Sequence, residues 1–142
     1  SSFTIVEQNL EFLQQLIADK VDIVFANEEE ALAFTRKEPQ QAATEIASMC
    51  EIAVVKIGKA GSIIQRGDER VNVAIIEAKA LDTTGAGDNY AAGFLYGYTN
   101  DFSLEKCGRI AALVSGKAVE VMGAKLPEKN WSEILKQISK MD

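Results

Sequence analysis

The sequence predicts an α/β fold with few strands for its length, and three observations predict it. Two short, continuously apolar runs, Asp22 to Ala26 and Ile52 to Ile57, have the character of strands buried on both faces of a parallel sheet. Segments with apolar residues at helical spacing precede and separate these runs. Past Gly87 only helical periodicity is found, so the expected form is a partial central sheet with flanking helices.

The elements follow in order. Thr4 and Glu7 form a T-x-x-E capping box, after which Val6, Leu10, Leu13, Leu16 and Ile17 hold one apolar face to about Asp19. After the first strand, Asn27 to Glu30 opens a helix through Phe34; Pro39 interrupts, and Gln41 to Met49 resumes helical character. Gly58-Lys59-Ala60-Gly61 then turns the chain into Ser62 to Gln65, and Gly67-Asp68 joins that run to Val71 to Ile76. There Val71, Val73 and Ile75 alternate with Asn72 and Ala74, the pattern of a half-exposed antiparallel hairpin. Helices follow over Gly85 to Tyr98, Leu104 to about Val121 and Trp131 to Met141, with Ser103 and Asn130 as caps, Asn130 having Glu133 three residues on. Trp131 reads as core for the last helix.

Composition sets the class. With 142 residues, 47% apolar and 25% charged, the chain has the profile of a domain able to build a core. A net charge of −6, from 15 basic and 21 acidic residues without a basic cluster, argues against nucleic acid as a partner. No apolar run reaches about 18 residues and no signal-peptide pattern is present, so no membrane partner and a cytoplasmic location are expected. Cys50 and Cys107 stand alone, without C-x-x-C spacing, as buried reduced thiols. Histidine is absent, which removes Ser–His–Asp and Cys–His triads and His-ligated metals from this chain. Acid–base chemistry falls to carboxylates, lysine, tyrosine or cysteine.

The stretch Asp82 to Leu95 reads D-T-T-G-A-G-D-N-Y-A-A-G-F-L, a polar, glycine-studded turn running into a helix. The first turn of a helix has N–H groups without intrahelical partners and the positive end of the macrodipole, so it attracts anions, phosphate above all. Gly85, Ala86 and Gly87 would let that backbone approach closely. A plain capping role competes, with Thr83 or Thr84 as the cap and Asp88 complementing the dipole. Two glycines in one helical turn, at about 1 kcal/mol each against alanine, favour the anion site. Ligands of open α/β sheets bind beyond the carboxyl ends of the strands, which places Asn27 to Glu30, Gly58 to Gly61 and Asp82 to Asp88 on one rim.

Neither G-x-x-x-x-G-K-[ST] nor G-x-G-x-x-G is present, since Tyr90 stands where the latter needs its third glycine. Instead D-T-T-G-A-G-D followed by A-G-F-L resembles the second signature of the PfkB, or ribokinase-like, family of carbohydrate and nucleoside kinases. Asn27-Glu28-Glu29-Glu30 resembles that family's N-x-x-E motif, and Val54 to Gly61 its nucleotide-side strand and glycine turn. The Ala-rich helix ending near Gly123-Ala124 is similar to the region flanking adenine and a monovalent-cation site. Motif order and spacing agree over essentially the whole chain.

The resemblance implies a ribokinase-like fold and an ATP-dependent phosphotransferase acting on a hydroxymethyl-type alcohol of a sugar or nucleoside. Asp88 would be the general base, with Gly85, Ala86 and Gly87 forming the anion hole for the transferred phosphoryl group. Glu30, helped by Asn27, would hold Mg²⁺ through water. Lys56, Gly58, Lys59, Gly61 and Gly116 would lie on the nucleotide side. Asp82 and Thr84, with carbonyls near Ala118, Val121 and Gly123, resemble a K⁺ site. Bland readings stand beside these. Asn27 and Glu30 would also serve as an ordinary cap, Lys56 as a snorkelling strand end, and Gly58 and Gly61 as turn residues alone. The stripe Gly108, Ala112, Gly116 would also serve close helix packing.

The family's N-terminal part, with its sugar-binding motif and small β-lid, has no counterpart here. Residues 1–142 are therefore expected to be the C-terminal, nucleotide-binding portion of a kinase, an excised piece or a split gene product, inactive by itself. Ribose, fructose, a keto-deoxy sugar acid and adenosine all stay open as acceptors, and a homodimer would form through the lid of the complete protein. Two alternatives remain: a non-catalytic nucleotide-binding module, and a hydroxymethylpyrimidine or thiazole-alcohol kinase of the same fold. The N-x-x-E motif and the D-T-T-G-A-G-D form favour the sugar or nucleoside branch over the last.

Overall fold

The computed structural model describes residues 2–76, 86–120 and 127–141. The chain divides into two compact units, Ser1–Asn72 and Val73–Asp142. Among the described residues of the first unit the order is α1 (Ser2–Gln8), α2 (Leu10–Lys20), β1 (Ile23–Asn27), α3 (Glu28–Thr35), α4 (Pro39–Ala47), β2 (Ile52–Lys56), β3 (Ser62–Arg66) and β4 (Glu69–Val73, ending at the division). The second holds α5 (Ala86–Thr99), α6 (Leu104–Val119) and α7 (Glu128–Ser139).

The strands form one sheet in the order β1-β2-β3-β4. β1 pairs parallel with β2, Phe25 opposite Val54 and Asn27 opposite Lys56. β2 pairs antiparallel with β3, Val55 opposite Ile63 and Lys56 opposite Ser62. The sheet is thus mixed rather than parallel, with a hairpin on one side as the alternation in Val71 to Ile75 predicts. That hairpin ends earlier than expected: β4 stops at Val73, and Ile75 and Ile76 are exposed. Gly67, at φ 57°, makes the tight connection between β3 and β4.

Burial separates the strands. Ile52 to Val55 of β2 and Ser62 to Gln65 of β3 are buried throughout, whereas in β1 only Ala26 is. β1 is therefore not the strand buried on both faces that its apolar run predicts. It stands at the end of the strand order and has one hydrogen-bonded neighbour among the described strands. The core of this unit joins Ala26, Phe34, Ile46, Ala53, Val55 and Ile63, with Val6, Leu10, Leu13 and Ile17 packed against it. Each fully buried Ile or Val removes enough apolar surface to contribute roughly 1.5–3 kcal/mol.

Several local expectations are corrected. The first helical stretch breaks at Asn9, whose Nδ2 donates to the Ile5 carbonyl at 2.8 Å, a local bond that competes with the helix ladder. Thr4 lies inside α1, so Thr4 and Glu7 do not cap it as a box. Pro39 does not interrupt a helix but opens α4, where its missing N–H is harmless; the break is made by Arg36, at φ 59°, which ends α3. Ser103 caps α6 as expected, its Oγ accepting from the Lys106 N–H at 3.2 Å. Asn130 does not cap α7, which starts at Glu128 after Pro127. Trp131 is 37% exposed, and Ile134 and Ile138 supply the buried face of α7 instead.

Among the described residues Arg70 of β4 is a hub for neutral acceptors. Its guanidinium donates to the Gln40 carbonyl and Oε1, to Thr44 Oγ1 and to Gln65 Oε1, at 2.6–2.9 Å, tying β4 to α4. Neither cysteine is in a disulfide: Cys107 is buried, and Cys50 is half-buried, its Sγ donating to the Ile46 carbonyl at 3.2 Å. Burial pushes the Cys50 thiol above its ordinary range.

Candidate functional site

In the first unit the site is built from strand ends. The parallel register sets Asn27, last residue of β1, beside Lys56, last residue of β2. Asn27 has the extended backbone of an N-cap, and a full capping box closes the start of α3. Its Oδ1 accepts from the Glu30 N–H at 2.8 Å, and Glu30 Oε2 accepts from the Asn27 N–H at 3.0 Å. The capping reading of these two residues is therefore realised in the fold. It engages one oxygen of the Glu30 carboxylate, which sits half-buried among the acidic first turn Glu28, Glu29, Glu30.

The glycine turn after β2 is a 3-10 turn over Gly58–Ala60. Gly58 at φ 58° and Gly61 at φ 95° both need the left-handed side of the backbone map, so both serve the turn itself. A Cβ built on Gly58 would lie 3.7 Å from Glu28 Oε1, which places the turn against the first turn of α3. Two of the three loops expected on one rim thus meet at the carboxyl ends of β1 and β2. Lys59 is exposed and Lys56 half-buried.

In the second unit α5 begins at Ala86, so Ala86, Gly87 and Asp88 form its first turn, with Asp88 as the acidic residue there. Gly87 and Asp88 are exposed, while Asn89 and Tyr90 immediately behind them are buried. The N–H groups of this turn precede the helix ladder and lack intrahelical partners. Asp82, Thr83, Thr84, Gly85, Val121 and Gly123 lie outside the described residues. Ala118 is buried in α6, and its carbonyl accepts from the Glu120 N–H that closes the helix. Gly116 lies near Ile76, whose carbonyl oxygen would be 3.5 Å from a Cβ at that glycine, an ordinary contact.

What sequence reasoning missed is the seam between α5 and α6. A Cβ on Gly93 would lie 3.0 Å from Ala111 Cα and 3.1 Å from the Ile110 oxygen. One on Gly97 would lie 2.9 Å from Cys107 Sγ and 3.0 Å from its Cα. The close approach is made at these two positions, whereas Gly116 makes only an ordinary contact. The i, i+4 spacing of Gly93 and Gly97 was the available signal. Among the described residues no group of three or more Asp, Glu, Cys or His is gathered to hold a metal, and no helix is long and apolar enough to cross a membrane.

Comparison with known proteins adds the family. The chain is similar to an uncharacterized sugar kinase of Archaeoglobus fulgidus, 47% identical over 75 residues that make up 53% of this chain and 30% of the relative. Among solved structures it matches adenosine kinase from Sinorhizobium meliloti at 36% identity and a TM-score of 0.87, over 95% of this chain and 42% of that one. It also matches Arabidopsis thaliana ribokinase complexed with ribose and ATP, at 30% identity and a TM-score of 0.77, over 91% of this chain and 44% of that one. The chain therefore spans less than half the length of these relatives. Its α/β fold, a four-stranded mixed sheet with flanking helices, is ribokinase-like. The family model of the pfkB family carbohydrate kinases matches residues 5–131, and on that extent the chain belongs to the pfkB family of carbohydrate kinases.

Proposed function

We propose that residues 1–142 are the C-terminal, nucleotide-binding part of an ATP-dependent kinase that phosphorylates a hydroxymethyl-type alcohol of a sugar or nucleoside. The observation that carries this reading is the exposed Asp88 in the first turn of α5, directly after Gly87, in a chain of this family. Asp88 takes the proton of the acceptor hydroxyl as its oxygen bonds to the γ-phosphorus of ATP; the bond to the β,γ-bridging oxygen breaks and ADP leaves. The N–H groups of Gly85, Ala86 and Gly87 face the charge on the phosphoryl group in flight, with the dipole of α5 behind them. Lys56, Gly58, Lys59, Gly61 and Gly116 belong to the nucleotide side, Gly58 and Gly61 by shaping the turn. The relatives that bind adenosine-type or sugar acceptors, and the ribokinase complex with ribose and ATP, support the choice of substrates.

The residues present suit a hydrated Mg²⁺ better than a directly ligated one. Glu30 offers a single half-buried carboxylate, one oxygen of which is spent on the cap, and Mg²⁺ keeps much of its water. When bound, Mg²⁺ supplies charge neutralisation at the phosphates. Of the K⁺ donors only Ala118 is described, and no step is assigned to that ion. Glu30→Gln separates the two roles of this side chain, because glutamine keeps the capping acceptor and loses the charge. The expected outcome is an unfolding free energy changed by less than about 0.5 kcal/mol together with a several-fold higher Mg²⁺ requirement for turnover; an unchanged Mg²⁺ titration removes Glu30 from the cation site.

The reading as a whole is tested on the complete protein with ATP, Mg²⁺ and, in turn, ribose, fructose and adenosine. ADP formation that depends on one of these acceptors, with a phosphate ester visible by phosphorus NMR, is expected. ATP that stays intact with every acceptor overturns the kinase reading.

A further inference from the structure

One contact ties the first turn of α5 to the neighbouring helix. Ser115 of α6, half-buried, donates its hydroxyl to the carbonyl oxygen of Ala86 at 3.2 Å. A serine inside a helix ordinarily bonds back to a carbonyl of its own preceding turn. Ser115 instead reaches across to the first residue of another helix. The Ala86 carbonyl and the Gly87 N–H belong to one rigid, planar peptide group. A donor on that oxygen fixes the direction of the N–H and polarises it, so the N–H becomes a stronger donor toward an anion. The glycine seam makes the reach feasible: with no side chain at Gly93 or Gly97, the backbones of α5 and α6 lie close along their length.

We propose that Ser115 is a positioning residue for the phosphate-facing turn of α5, aligning the Gly87 N–H through the Ala86 carbonyl. This rests on the function proposed above. Ser115 touches no substrate; it presets a donor whose alignment matters as negative charge moves onto the transferred phosphoryl group. Its removal therefore acts on turnover and not on ATP capture. Loss of one hydrogen bond of ordinary strength corresponds to about a tenfold change.

The test compares Ser115→Ala and Ser115→Thr with wild type in the complete kinase, using whichever of ribose, fructose or adenosine the wild type phosphorylates, and Asp88→Asn as reference. Ser115→Ala is expected to lower kcat about tenfold with KM for ATP within about twofold of wild type. Its melting temperature should hold or rise, because alanine is the better helix former. Ser115→Thr, which keeps the hydroxyl, should restore at least half of the wild-type kcat. The proposal is overturned if Ser115→Ala turns over like wild type, if Ser115→Thr is as slow as Ser115→Ala, or if kcat and melting temperature fall together. A wild-type-like Ser115→Ala beside an inactive Asp88→Asn removes the positioning role alone. An active Asp88→Asn removes Asp88 as the base, and with it the reading of this turn on which the proposal rests; no acceptor-dependent turnover at all removes the kinase reading and this proposal with it.

Discussion

Asp88→Asn in the complete protein is expected to lower kcat by roughly a thousandfold, within the range that general-base catalysis contributes, while KM for ATP should move by less than about threefold. The substitution is nearly isosteric and takes away only the ability to accept a proton. Asp88 is exposed and lies at the surface end of α5, so no buried partner is orphaned by the change. The buried residues behind it, Asn89, Tyr90 and Phe94, keep their packing. Fold and nucleotide capture therefore survive, and the loss is confined to the step in which the acceptor oxygen must shed its proton. Steady-state kinetics with a parallel melting curve reads all three quantities. A variant that keeps more than a tenth of wild-type kcat would mean that another group takes the proton.

The second large effect is structural, and its sign differs between glycines of the same pair of helices. Gly93→Leu is expected to lower stability by about 3 kcal/mol, at the upper end of ordinary overpacking. The first carbon alone would press on Ala111 Cα at 3.0 Å and the Ile110 oxygen at 3.1 Å, both of them backbone of α6 that yields only if the whole helix moves. Gly93→Ala loses less, because about 1 kcal/mol of helix propensity offsets part of the crowding. Gly116→Ala, in contrast, is expected to gain stability of up to about 1 kcal/mol: among the described residues the nearest atom to its Cβ, the Ile76 oxygen, stands at 3.5 Å, an ordinary contact. Urea unfolding of the three variants checks this ordering. If Gly93→Leu unfolds at the wild-type midpoint, the two helices do not cross as closely as Gly93 and Gly97 indicate.

The helices and strands with strong periodicity were legible from residues alone, and so were the cap at Ser103 and the start of a helix within one residue of Gly85. The places that were not legible share a cause: each turns on a partner distant in sequence or on a local bond that periodicity does not register. The apolar run of β1 reads the same whether its strand has one neighbour or two, so its partial burial could not be read from Ile23 to Ala26. The break at Asn9 depends on a side-chain bond to Ile5. The early start of α7 was hidden because Glu128, Lys129 and Asn130 add polar residues ahead of the apolar period that begins the recognisable helix. At the site, motif residues were legible and their tuning was not. Asp88 and Gly87 stand out by type, whereas Ser115 looks like any helical serine until α6 is laid against α5.

The mixed sheet also favours one order of assembly. Val55 pairs with Ile63 on one side and with Ala26 on the other. The first pairing closes a short loop through Gly58 to Gly61; the second must wait for a segment holding both α3 and α4 to be gathered. The entropy lost in closing a loop grows with its length, and local pairings form sooner than distant ones. β2, β3 and β4 are thus expected to pair first, with β1 added afterwards. The capping box at Asn27 and Glu30 is therefore expected among the later features to reach its final geometry.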